Sequence, residues 1–326
     1  MIRRLHKFVR ARGRTVVVFS FLAVTPSCAK APESAPIEPA HVVAGTVAGA
    51  TDLLGVDFID AGHAWAVGDI APTGGSILYT SDAGRTWRPL VRTTEVLSSV
   101  WFVDTAHGWV AGYAGRIERT DDGGRTWIAQ RVEHEDEVLN SIFFLDAGHG
   151  WAVGGSGLVL RTTDGGARWN SLTTGREEDL WAVRFTSPDR GWIVGEDGLV
   201  LATSDGGTTW TPRPSGTTKA LTGLAVTAPS CLVAVGEQGT IVRSDDGTAW
   251  SSVSSGTSET LAAIAAAAPS VFWAVGRGGA SLLSHDGGLT WTAQASASGT
   301  SLFAVDLADA HHGIAVGRQG ATERLE

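Results

Sequence analysis

The chain has 326 residues, of which 43% are hydrophobic and 18% charged, with a formal charge of −9. It is too apolar for a disordered protein and long enough for a large core, and no apolar run reaches the ~18 residues of a membrane-spanning helix. Two cysteines exclude a disulfide scaffold and a multi-cysteine zinc centre, while 42 glycines and 13 tryptophans point to many short strands joined by tight turns.

Residues 1–29 read as a secretory signal. Arg3, Arg4, Lys7, Arg10, Arg12 and Arg14 stand without an acid, the apolar run Thr15–Val24 follows, and Ser27, Cys28 and Ala29 form a small-residue exit. Two processing readings stand. In one, Cys28 is the lipidated first residue of a lipoprotein; in the other, cleavage follows Ala29. Either way the protein is expected to be exported, as a periplasmic or membrane-anchored lipoprotein. Removal of six basic residues takes the formal charge from −9 to −15. Such acidity argues against nucleic acid or an anionic membrane face as a partner and leaves a lipid anchor as the route to a membrane. Residues 30–40, with Pro32, Pro36 and Pro39, read as a linker.

From residue 41 to 326 one repeat recurs. A Trp closes an Asp-containing turn six times: Asp82 to Trp87, Asp122 to Trp127, Asp164 to Trp169, Asp205 to Trp210, Asp246 to Trp250, and Asp286 to Trp291. Successive Trp residues are 40, 42, 41, 40 and 41 apart. A second marker, Val-Gly or Ala-Gly, ends at Gly68, Gly112, Gly154, Gly195, Gly236, Gly276 and Gly317. A third is a leucine at 53, 97, 139, 180, 221, 261 and 302.

Each repeat predicts four strands, a to d. In the third copy they cover Leu139–Leu145, Trp151–Gly154, Leu158–Thr163 and Trp169–Thr173. Two residues after each marker leucine stand only small side chains (Gly55, Ser99, Ser141, Ala182, Gly223, Ala263 and Ala304), as the crowded inner wall of a ring requires. The expected fold is all-β: a seven-bladed β-propeller of four-stranded antiparallel blades. The seventh repeat ends after strand c. In blades 3–6 the Trp precedes the next leucine by 11 residues, and the same count back from Leu53 reaches Val42. The segment His41–Val47 is therefore expected to supply the last strand of blade 7 and to remove an unpaired edge.

The turn pattern Ser/Thr-x-Asp-x-Gly-x-Thr-Trp is the Asp-box. Gly takes left-handed backbone angles cheaply and Asp caps N–H groups across the turn, so its six copies read as structural. His63, His107, His149 and His312 fall one per blade in the a–b turn, too dispersed for a zinc site. Cys231, at the matching position of blade 5, reads as a packed small residue.

The combination of Gly-Trp-Ala-Val-Gly, Gly-x-Ile/Leu-x-x-x-Thr and Asp-Gly-Gly-x-Thr-Trp, most completely in Gly150–Trp169, resembles the photosystem II stability/assembly-factor propellers across about residues 41–326. The resemblance implies a lumenal or periplasmic propeller with Asp-boxes like those of sialidases. It also implies a non-catalytic role that in photosynthetic members is to bind a newly inserted photosystem II subunit. The expectation is thus a monomeric protein-binding scaffold whose partner is a protein, in particular a membrane-protein segment.

A sialidase-like glycan-active enzyme, or a glycan-binding propeller, is the competing class. The enzyme needs a Tyr nucleophile, a Glu partner and an arginine cluster. Only Tyr79, in strand c beside the first Asp-box, and Tyr113, in a b–c loop, are present. On the face formed by the d–a and b–c loops, Glu133, Glu135, Asp136, Glu137, Glu177, Glu178, Asp179, Glu196, Asp197 and Glu237 define an expected acidic arc, and Arg116, Arg277 and Arg318 a basic one. The acidic arc suits a basic peptide segment. No cofactor is expected, although adjacent carboxylates and carbonyls would suit Ca²⁺ rather than zinc.

Overall fold

The computed structural model describes residues 42–47, 49, 51–69, 74–130, 132, 136–227, 231–267 and 270–326. The signal, Cys28, the linker, Glu133 and Glu135 lie outside them. Seven four-stranded antiparallel sheets form the blades of a propeller. Blade 3 is typical, with strand a at Leu139–Phe144, b at Gly150–Gly154, c at Val159–Thr162 and d at Asn170–Leu172. The predicted strands hold to within about two residues.

The markers have direct physical causes. All seven marker leucines are fully buried. The marker glycine closes strand b against the residue that precedes the leucine. A Cβ on Gly154 would lie 2.1 Å from the Val138 carbonyl oxygen, and one on Gly68 would lie 2.0 Å from that of Asp52. No side chain fits there. Every strand a then carries a register shift just after its leucine. This bulge re-aims the following residue. In blades 3 and 5 that residue reaches the next blade: Asn140 Nδ2 donates to the Leu180 carbonyl at 2.9 Å and the Thr222 hydroxyl to that of Leu261 at 2.7 Å.

The ring closes as expected. Val42–Thr46 pairs antiparallel with Ala321–Leu325, in register Val42↔Leu325 to Thr46↔Ala321, as strand d of blade 7. His41, expected to begin this strand, lies outside the described residues.

Blades are joined face to face by the strand-b tryptophans. Trp65, Trp109 and Trp151 each stack on the strand-a Phe of the next blade (Phe102, Phe144 and Phe185) with ring centroids 3.6 Å apart. Their indole N–H groups reach the Asp-box of that same blade. Trp109 Nε1 donates to the Gly165 carbonyl, Trp151 Nε1 to that of Gly206 and Trp192 Nε1 to that of Gly247, each at 3.0 Å. Blade 7 has no Asp-box, and Trp273 donates instead to Ser281 Oγ at 2.9 Å. In blade 5 the Trp position holds Val233. There Arg243 Nε, from strand c, donates to the Gly287 carbonyl at 2.7 Å and takes over the indole's role.

The seven a strands surround a central channel with a cavity of about 270 Å³. The small residues two beyond each leucine line it. A Cβ on Gly223 would stand 3.2 Å from the Ala263 backbone, which explains why this layer stays small. Two residues further along is a ring of unlike side chains: Asp57, Trp101, Phe143, Arg184, Ala225, Ala265 and Asp306.

Candidate functional site: the loop-face groove of blades 3 to 5

The Asp-boxes lie on one face and are saturated with internal bonds. In the first, the Thr80 hydroxyl donates to Asp82 at 2.8 Å, while the Thr86 N–H and hydroxyl donate at 2.8 and 2.6 Å. Asp122, Asp164, Asp205, Asp246 and Asp286 repeat the arrangement with local substitutions. Hydrogen bonds from Thr86 and Thr126 hold Asp82 and Asp122 down to about 2. On the same face His63, His107, His149 and His312 pair with Asp60, Asp104, Asp146 and Asp309 at 2.8–2.9 Å. These are one-per-blade clips across the a–b turn. Tyr79 packs against Trp65 with ring centroids 5.2 Å apart and lies under Arg88, whereas Tyr113 is exposed in its loop. Cys231 is buried, its sulfur 3.5 Å from the Gly287 carbonyl oxygen.

The opposite face is built from the d–a and b–c loops. The b–c connections of blades 2–7 are tight turns with two successive left-handed residues, such as Ser156-Gly157 and Asp197-Gly198. Such turns place the residue after the marker glycine at the surface. Glu196, Glu237, Arg277 and Arg318 occupy that position and are exposed. Arg116 does not. It stands at the start of strand c, half-buried, paired with the buried Glu118 and 3.3 Å from the Thr94 hydroxyl. Its charge is answered within blade 2, so it adds little to a basic arc.

The expected acidic arc is interleaved with cations that the sequence reading did not single out. Two adjoining troughs run over blades 3–5 and share Arg176. The first, of about 440 Å³, is bordered by Glu137, Ser156 and Thr174. Here Glu137 Oε2 and Asp179 Oδ1 converge over Gly155, where a Cβ would meet them at 3.0 and 3.5 Å. Asp179 also accepts the Ser156 N–H at 2.9 Å, so it caps the turn as well as charging it. The second trough, of about 760 Å³, brings together Glu178, Glu196, Asp197, Arg213 and Lys219. Arg176 pairs with Glu178 at 3.4 Å. Arg213 Nε is buried without a hydrogen-bond partner. Asp136 and Glu177 are exposed beside these troughs. Arg176, Arg213 and Lys219 were legible only by setting each blade's d–a loop against its neighbour's b–c loop. Among the described residues no three metal-ligating side chains converge.

Seven closed blades, Asp-boxes as blade-to-blade docking points and a charged loop-face groove define the class of Asp-box propellers. Within it, residues 89–177 and 169–255 match the family model described as photosynthesis system II assembly factor YCF48, and the chain belongs to that family. Among solved structures, one described as YCF48 bound to D1 peptide is 24% identical, with a TM-score of 0.72 over 91% of this chain and 99% of its own. YCF48 from Cyanidioschyzon merolae is 21% identical, with a TM-score of 0.70 over 87% and 98% of the two chains. Virginiamycin B lyase from Staphylococcus aureus is 15% identical, with a TM-score of 0.73 over 88% and 99%. The same ring therefore also carries a lyase, and fold alone does not set the chemistry. The search of curated proteins finds no match.

Proposed function

We propose that this protein is a non-catalytic, extracytoplasmic scaffold whose loop-face groove holds a short segment of a membrane protein during assembly. One observation carries the reading. Glu178, Glu196, Asp197, Arg176, Arg213 and Lys219 border one open trough on the loop face, where both signs of charge are available to an extended peptide. Mixed charges of this kind select register and speed encounter more than they add affinity. The reading draws support from the family and from the structural relative that holds a peptide. Tyr79 is engaged in packing against Trp65 and beneath Arg88. The groove needs no cofactor to do this work. Export, by free secretion or by a lipid on Cys28, would bring it to the membrane surface where such segments emerge.

The test replaces Asp136, Glu177, Glu178 and Glu196 with Ser together and compares affinity capture from envelope extract with that of the unchanged protein. Capture of the membrane-protein partner is expected to fall about tenfold and the wild-type association rate to fall with added salt. Capture unaffected by the four substitutions would refute the groove as the binding surface.

A further inference from the structure

The channel ring at Asp57, Trp101, Phe143, Arg184, Ala225, Ala265 and Asp306 departs from the small-residue layer beside it, because it places three ionisable groups in an interior cavity. Asp57 accepts the Phe102 N–H at 2.8 Å, and Asp306 accepts the Phe58 N–H at 2.7 Å. The other five blades carry Trp, Phe, Arg, Ala and Ala at this position, none of which offers an acceptor. Their strands pack without such a bond, so blade geometry does not require the two carboxylates.

Arg184 stands on the far side of the ring. Its guanidinium carbon is 5.0 Å from the Trp101 ring centroid and 5.8 Å from that of Phe143, and Nη1 donates to the Val183 carbonyl at 2.8 Å. Among the described residues no ion pair joins Arg184 to Asp57 or Asp306. Opposite charges thus face a common cavity of about 270 Å³ without touching. Ala225 and Ala265 lie between Arg184 and Asp306 around the ring and keep that side open. Trp181 Nε1 is a buried donor with no partner, on a side chain that lines the same cavity. Arg184 and Asp306 are only half-buried, so solvent reaches them.

Arg184 and the two carboxylates attract one another across the cavity without forming an ion pair, and charges so loosely paired in such a place are costly. Burial raises both carboxyls, Asp306 to about 6, and lowers Arg184; Asp306 also raises Asp57, while Arg184 opposes the rise of both. A molecule carrying both signs would answer all three groups at once. We propose that the central channel binds a small zwitterion of the α-amino acid class, its carboxylate on Arg184 and its ammonium on Asp57 and Asp306. Trp101 and Phe143 would form the apolar wall beside it. This site is separate from the loop-face groove and stands whether or not the groove holds a peptide.

Titration calorimetry of the full chain with glycine, L-alanine and L-valine tests the proposal, with acetate and methylamine as single-charge controls. At least one amino acid should bind with one-to-one stoichiometry and about tenfold more tightly than either control. Arg184→Met and Asp306→Asn should each weaken that binding about tenfold or more. Ala225→Met, which fills the cavity and leaves every charge in place, should abolish it; this variant carries the test if loss of Arg184 prevents folding. Circular dichroism and melting confirm that each variant is folded. No binding of any of the three amino acids up to about 10 mM by the folded wild type, or equal binding by Arg184→Met, would overturn the proposal and leave the channel filled by water.

Discussion

Trp151 shows how single residues carry the join between blades. It stacks on Phe185 of the next blade at 3.6 Å and donates to Gly206 of that blade's Asp-box at 3.0 Å. The Asp-box is therefore more than a hairpin cap, which is all that its local pattern reveals. The contact spans 55 residues, and no short-range spacing points to it. A span of 44 residues likewise hides Arg243, whose role appears only once Val233 is seen to leave a Trp position vacant. The channel charges had a legible signal: comparing the fourth residue after each marker leucine across seven repeats isolates Asp57, Arg184 and Asp306 among apolar residues.

Asp306 also has a consequence for stability. Its carboxyl is raised to about 6, chiefly by burial, so the folded protein binds an extra proton between about pH 4 and 6. Stability from this residue therefore falls as pH rises through that window. Asp306→Asn keeps an acceptor for the Phe58 N–H and removes the charge from the channel wall. Its melting temperature is expected to exceed that of the wild type at pH 7.5, by an amount corresponding to roughly 1–3 kcal/mol, and the difference should close by about pH 4. A lower melting temperature at pH 7.5 would contradict this reading. The Asp-box carboxylates act with the opposite sign. With Asp82 and Asp122 held down to about 2, their contribution is complete above about pH 4 and is lost as pH falls towards 2.

At the scale of elements, the repeat markers made the strands legible because each marker answers a steric demand. The leucine fills the blade core, the marker glycine admits a carbonyl oxygen, and the small residue clears the adjacent a strand. Strand d was the least legible element. In blades 4 and 6 it shrinks to Thr211–Pro212 and Thr292–Ala293, because this outermost strand buries little and its length is not enforced by packing. The closing strand was found by counting alone. Its removal should be felt by the whole ring, since Val42–Thr46 supplies all pairing on the outer side of Ala321–Leu325 and Val47 is buried against blade 1. Deleting residues 42–47 is expected to cost about 3–5 kcal/mol in chemical denaturation, on the scale of losing a set of core contacts. A denaturation midpoint equal to that of the intact chain would show that the strand does not lock the circle.

For the whole molecule, sequence and structure agree on a seven-bladed ring, while the pattern of charge on its loop face became clear only in three dimensions. The loops that enter blades 3 and 4 are rich in Glu and Asp, and reading them in chain order yields an acidic arc. Folding sets Arg176, Arg213 and Lys219 among those acids and turns Arg116 inward to Glu118, so the surface becomes a groove of both signs. That groove, and not the saturated Asp-box face, is where a partner segment should lie. The most direct measurement places p-benzoylphenylalanine at Glu178 on the loop face and, in a second variant, at Arg125 on an exposed Asp-box turn, and irradiates each in envelope extract. The Glu178 variant should form an adduct with an extracytoplasmic segment of a membrane protein, and the Arg125 variant should not. Equal adducts from both positions, or an adduct from Arg125 alone, would contradict a loop-face scaffold.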